Sequence, residues 1–138
     1  MSDITGKNDS RLDLSQAVLL VIDMQQAFTD PNYPLCVVGA AQTIPTVHNL
    51  ISLCRNTEVP VFWIRRIYEK DGSDMEAFRR KDLGAKGCTE IMSLGHPGAL
   101  PSSGLKEEQG EPIVIKKRFS SFFQTGLIRC LRTEKSEH

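Results

Sequence analysis

The stretch Ala17–Met24 reads AVLLVIDM, a continuous apolar run closed by Asp23. It is too short for an ordinary helix and rich in Val, Ile and Leu, the composition of a strand buried on both faces, as in parallel sheets. Working outward, Val59–Ile64 (VPVFWI) reads as a second buried strand, with Pro60 near its start, where a missing N–H does least harm. Ile113–Ile115 is a third, short strand running into Lys116, Lys117 and Arg118. Between the first two, Ile44, Val47, Leu50, Ile51 and Cys54 recur at helical spacing, with Thr43 as the expected N-cap and Pro45 in the first turn. Glu69–Asp82 is charged, with a helix expected around Met75–Arg80. Leu83–Pro112 holds six of the ten glycines and three prolines, so it is expected to be mostly loop around a short Thr89–Leu94 piece. Thr125–Arg132 sets Leu127, Ile128 and Leu131 on one face and predicts a last helix.

The order strand–helix–strand–loop–strand–helix implies a parallel α/β sheet with right-handed crossovers. Ligands of such sheets bind beyond the carboxyl ends of the strands. The residues at those ends are Asp23, then Arg65 and Arg66, then Lys116. Two readings compete at each. Asp23 leaves a buried strand partly desolvated and suits proton transfer, or it caps the loop that follows. Lys116 enters the site or is solvated. Arg65 and Arg66 clamp a carboxylate, which hints at an acidic substrate, or they belong to a solvated face.

Seventeen Lys and Arg are balanced by seventeen Asp and Glu over 138 residues. Nucleic acid and anionic membrane both demand a basic excess, so neither is an expected partner. The composition, 40 % hydrophobic and 25 % charged, excludes disorder as the main state, and the length suits one domain. Met1–Gln16 is a polar arm without the apolar segment of a secretory leader, and the longest apolar runs are far too short to span a bilayer. A cytoplasmic location is expected. Cys36, Cys54, Cys88 and Cys130 form no CxxC pair and have no His at metal-ligand spacing, so they read as reduced thiols.

Other chemistry finds little support. His48 lies between apolar helix positions, His96 in a Gly/Pro loop and His138 at the terminus, none with a partner at ligand spacing. Ser120 and Ser121 lack a GxSxG setting. No GxGxxG or GxxxxGK[ST] motif is present, which leaves a nucleotide-binding module with only its fold class behind it.

AVLLVIDMQQAF (Ala17–Phe28) resembles the first strand and signature of the isochorismatase-like (cysteine hydrolase) superfamily. VIKKRFSSFFQTGL (Val114–Leu127) resembles its second signature, a lysine followed by Arg, an aromatic residue, Ser, a small residue, Phe and a later Thr-x-Leu. VPVFWIRRIY (Val59–Tyr68) fits the strand between them. The likeness runs from about Ala17 to about Arg132, and within the superfamily it is greatest to a nicotinamidase-like branch, some members of which are regarded as inactive on nicotinamide.

The resemblance implies a three-layer α/β/α Rossmann-like fold around a mainly parallel, six-stranded sheet. It also implies hydrolysis of amides, of carbamoyl groups or, in the isochorismatases, of a vinyl ether. The amide hydrolases use an Asp, a Lys and a Cys. Residue by residue, the Asp is Asp23 and the Lys is Lys116, with Lys117 at the variable position after it. In the implied mechanism the thiolate attacks the carbonyl, Asp23 relays the proton and Lys116 holds thiolate and acid in place. Phe28 and Phe119, one aromatic residue from each motif, join Arg65 and Arg66 as candidate substrate-binding residues.

Two departures limit what carries over. The family's nucleophilic Cys lies a few tens of residues after the lysine, past a fourth strand, whereas this chain reaches His138 ahead of that strand. Cys130 falls inside the preceding helix, and Cys36, Cys54 and Cys88 match no catalytic position. The histidines that bind metal in nicotinamidases, due after the second strand, are replaced by Arg65, Arg66 and Tyr68, so no metal and no cofactor is expected. The domain 17–138 is therefore expected to be incomplete at its C-terminus and, by itself, inactive on amides. Its partner would be a small-molecule substrate if the domain were completed. Two alternatives stand beside this reading. One is an Asp-dependent vinyl-ether hydrolase that needs no Cys. The other is a non-enzymatic protein whose open first-strand edge pairs with another copy or with a full-length relative.

Overall fold

Three parallel strands form the sheet of the computed structural model, which describes residues 11–136, in the order β1 (Leu19–Ile22), β2 (Val61–Arg66), β3 (Ile113–Lys116). The register sets Val21 beside Trp63 and Ile22 beside Ile64, then Trp63 beside Ile113 and Arg66 beside Lys116. The helices are α1 (Gln26–Thr29), α2 (Ala40–Asn56), α3 (Ala77–Ala85) and α4 (Leu127–Ser136). Most of the polar arm, residues 1–10, lies outside the described residues. Its remainder includes a 3-10 turn, Leu14–Gln16, whose Ser15 N–H donates to the Asp13 carboxylate.

Alternation along the strands divides the core between the two sheet faces. Val21, Val61 and Trp63 pack with Ile51 and Cys54 of α2 on one face. Phe62, Ile64 and Val114 pack with Leu127, Cys130 and Leu131 of α4 on the other, giving three α/β/α layers. A third cluster, around Ala27, Tyr68, Met75, Leu83, Cys88 and Met92, closes the loops beyond the strands. Truncating a fully buried side chain such as Trp63 (1 % exposed) costs roughly 3–5 kcal/mol. Among the described residues β1 is hydrogen-bonded to β2 alone, so its outer edge is open, and no helix is long and apolar enough to cross a membrane.

Several boundaries differ from the sequence expectation. α2 begins at Ala40 behind Gly39, which takes φ +84, and Pro45 lies inside it. Thr43 does not cap, because its hydroxyl donates to the Ala40 carbonyl at 2.7 Å. The apolar pattern missed this first turn because Ala41, Gln42 and Thr43 all face solvent. β2 runs on through Arg65 and Arg66, whose pairing with Ile115 and Lys116 of β3 keeps them extended. α3 starts at Ala77 and extends past Arg80 so that Leu83, 1 % exposed, can anchor it. Gly98 is obligatory: a Cβ there would stand 2.6 Å from the Ile91 carbonyl oxygen. Its turn, Pro97–Ala99, thereby reaches the sheet end.

Candidate active site

At the carboxyl end of β1 the chain turns on Asp23, which adopts φ +56, the left-handed region that Asp tolerates better than most residues. Its N–H still donates to the Ile64 carbonyl at 2.9 Å, so the turn is fastened to β2. Gln25 completes the fastening and is fully buried. Its Nε2 donates to the carbonyls of Arg66 and Ala99, each at 3.0 Å, and its Oε1 accepts the Arg66 N–H at 2.8 Å. One side chain thus saturates backbone groups where the ladder ends. Thr29 and Ser102, both buried, add a hydroxyl pair at 2.8 Å.

β1 and β3 flank β2, roughly 9–10 Å apart by ordinary strand spacing. Lys116 spans that gap. Its Nζ lies 2.9 Å from Asp23 Oδ2 and donates to the Phe119 carbonyl at 3.0 Å. The lysine is 3 % exposed, so the solvated reading fails for it. A buried ammonium is costly without a partner, and Asp23 supplies one. The second oxygen, Asp23 Oδ1, is buried with no hydrogen-bond partner. A carboxylate anchored through one oxygen and unpartnered at the other keeps an acceptor unused.

Arg66 is 5 % exposed and shares the sheet face of Lys116, which removes the solvated reading for it too. Its Nη1 donates to the Tyr68 hydroxyl and its Nη2 to the Arg118 carbonyl, both at 3.3 Å, and its Cζ stands 5.1 Å from the centre of the Phe119 ring. Burial pushes the Tyr68 phenol up, only partly opposed by the Arg66 charge. Arg65 is not brought to this group. It points to the opposite face, where Glu107 holds it at 2.7 Å. Phe28 packs against the Ala27–Tyr68–Met75 cluster. Asp74 pairs with Lys117 at 2.7 Å and accepts the Glu69 N–H; burial opposes these bonds, yet its carboxyl is held below the usual range.

The four cysteines are unpaired, and none hydrogen-bonds to the Asp23–Lys116 pair. Burial pushes the Cys54 and Cys88 thiols up, which makes them poor nucleophiles. Among the described residues no group of three or more His, Cys, Asp or Glu could hold a metal ion. A groove of about 750 Å³ lies elsewhere, near the amino ends of β1 and β2 between Val18, Leu20, Pro60 and Leu131. Sequence reasoning missed Gln25, whose one signal is a polar residue immediately after a buried strand. It also missed Arg79, for which periodicity gives no signal.

Comparison with known proteins agrees with this architecture. A family model described as an isochorismatase domain matches residues 17–138. A probable inactive nicotinamidase from Arabidopsis thaliana is 34 % identical over 116 residues, 83 % of this chain and 59 % of that protein. An N-carbamoylsarcosine amidase from an Arthrobacter species is 27 % identical over 117 residues, 82 % of this chain and 43 % of that protein. The solved structure of an isochorismatase family protein from Desulfovibrio vulgaris superposes with a TM-score of 0.79 at 34 % identity, covering 87 % of this chain and 62 % of that one. The chain thus spans less than two thirds of the length of each of these relatives.

Proposed function

The chain belongs to the isochorismatase family, and on that premise we propose that Asp23 and Lys116 are the acid–base pair of a hydrolase site for an amide or related C–N bond in a small molecule. The observation that carries this reading is the 2.9 Å contact between Lys116 Nζ and Asp23 Oδ2, made beyond the carboxyl ends of parallel strands. Asp23, whose second oxygen has no partner, is the group to take the proton of an attacking nucleophile. Lys116 orients the carboxylate. Phe119 and Arg66 line the substrate side. None of the four cysteines hydrogen-bonds to the Asp23–Lys116 pair, and burial raises the Cys54 and Cys88 thiols, so the 138-residue chain binds substrate without turning it over. A relative named as a probable inactive nicotinamidase is in keeping with that.

The test is ammonia release from small primary amides and N-carbamoyl acids, with binding of the same compounds followed by NMR. The expected result is binding weakened by Asp23→Asn and Lys116→Met, with no release above background. Release that Asp23→Ala abolishes would overturn the inactive reading, and binding indifferent to both variants would remove the site.

A second reading rests on the open edge of β1, where Ile22 is 44 % exposed. There the edge pairs with a second chain. Light scattering showing a clean monomer at high concentration counts against it.

A further inference from the structure

Arg79, on the first turn of α3, carries a positive charge with no ion-pair partner among the described residues. No hydrogen bond or ion pair engages it, and its Nε is buried without a partner. What holds it is aromatic: its Cζ lies 5.8 Å from the centre of the Phe78 ring and 5.3 Å from that of Phe119. The two rings are themselves stacked at 6.4 Å with 14° between their planes. Arg66 approaches the same Phe119 ring and has no acid partner either.

The surrounding charges do not cancel. Lys117 is matched by Asp74 and Lys116 by Asp23. Glu76 lies 3.9 Å from Arg118 Nε, and its second oxygen is buried without a hydrogen-bond partner. Arg66 and Arg79 are left as two guanidiniums against one aromatic ring, neither with an ion-pair partner among the described residues, which favours an anion there. Arg66 is buried and already donates to Tyr68 and Arg118, so it supplies charge. Arg79 keeps its donor fork free, and two rings restrict it in advance, which lowers the entropy lost on forming a bidentate contact.

Phe119 joins this pair to the site. Its carbonyl accepts from Lys116 while its ring lies against both guanidiniums. We propose that Arg79, backed by Arg66 and held by Phe78 and Phe119, binds the carboxylate of an acidic substrate whose scissile C–N bond lies at Asp23 and Lys116. The inference names a substrate class for the site proposed above and rests on that reading for where the reacting bond sits.

The test compares N-carbamoylglycine with its uncharged amide, N-carbamoylglycinamide, as probes for the whole chain. Binding is followed through the arginine side-chain Nε–H signals in a proton–nitrogen NMR spectrum. The acid should shift the Arg79 signal and bind about tenfold or more tightly than the amide, the worth of one charge-assisted hydrogen bond. Arg79→Gln should bring the acid down to the level of the amide, and Arg79→Lys should retain part of the preference. A matching melting temperature certifies each variant as folded, and Arg79→Lys serves alone if Arg79→Gln is not. Equal binding of the two probes, binding of neither, a preference that survives Arg79→Gln, or inorganic phosphate binding more tightly than the acid would each overturn the proposal. Asp23→Asn separates the two readings. It should weaken both probes alike and leave their ratio intact, whereas an Asp23→Asn without effect beside an intact Arg79 preference would retire the hydrolase site and keep the anion site.

Discussion

Two partly buried ionic clusters at opposite ends of the sheet differ in how completely their acceptors are used. Ahead of β3, Glu111 is saturated. Its Oε1 accepts Arg55 Nε at 2.7 Å, while its Oε2 accepts Trp63 Nε1 at 2.6 Å and both Arg55 Nη2 and the Glu108 N–H at 3.0 Å. Beyond β1, Asp23 uses one oxygen on Lys116 and leaves the other buried and empty, on a left-handed backbone. Both acids touch cations in a low-dielectric setting, so burial and charge do not tell them apart. Saturation does. A carboxylate with both oxygens engaged ties a loop to a strand, whereas one held in place with an oxygen unpartnered, on a strained residue, can still react.

That contrast can be broken most directly at Asp23. Asp23→Ala leaves the ammonium of a lysine that is 4 % exposed without its acid and should destabilise the fold by about 3 kcal/mol. Lys116→Met leaves a carboxylate side chain 30 % exposed, which water can reach, and should cost no more than about 1 kcal/mol. Urea unfolding of the two variants measures the asymmetry. Equal losses would mean that the pair is merely structural.

Glu111→Gln sharpens the other side. It should cost about 1.5–2 kcal/mol at neutral pH, the value of hydrogen bonds to a charged group, and leave binding at the Asp23 site unchanged. Burial raises the Glu111 carboxyl, but the Arg55, Glu108 and Trp63 bonds outweigh it and hold the group below its usual range. The folded chain therefore binds this proton more weakly than the unfolded chain. Its stabilisation is complete above the unfolded value, about 4.3, and disappears as pH falls through the lower folded value. Thermal melts from pH 7 to pH 3 should show parent and variant converging at the acid end.

The smallest effect concerns backbone. Glu58, at φ +58 between α2 and β2, is left-handed like Asp23 but has no chemistry to justify the conformation. Glu58→Gly should be neutral or stabilising by about 0.5 kcal/mol, as relieved strain slightly exceeds the lost chain stiffness. A clear loss of stability would show that positive φ fails to distinguish the two ends.

Much of this was legible beforehand. The strands at Ala17–Met24, Val59–Ile64 and Ile113–Ile115 announce themselves because burial on both faces leaves no room for polar residues. Asp23 and Lys116 stand out for the same reason, as charges placed where such runs stop. The first turn of α2 is solvent-exposed on its polar side and gives no apolar period to read. Arg65 and Arg66 are neighbours in sequence, yet the pleat sends them to opposite faces, one to Glu107 and the other to Phe119. Nothing in a dipeptide says which is which until the strand is known to continue.

The sequence by itself determined the α/β class, the parallel sheet and the end of it at which charge collects, because hydrophobic periodicity and strand direction are local properties. Only the tertiary structure decided that Lys116 is buried on Asp23, that Gln25 closes the strand ends and that Arg79 reaches Phe119. Each of these joins segments 40 or more residues apart through side-chain reach and hydrogen-bond geometry, which come into being only when the strands are laid side by side.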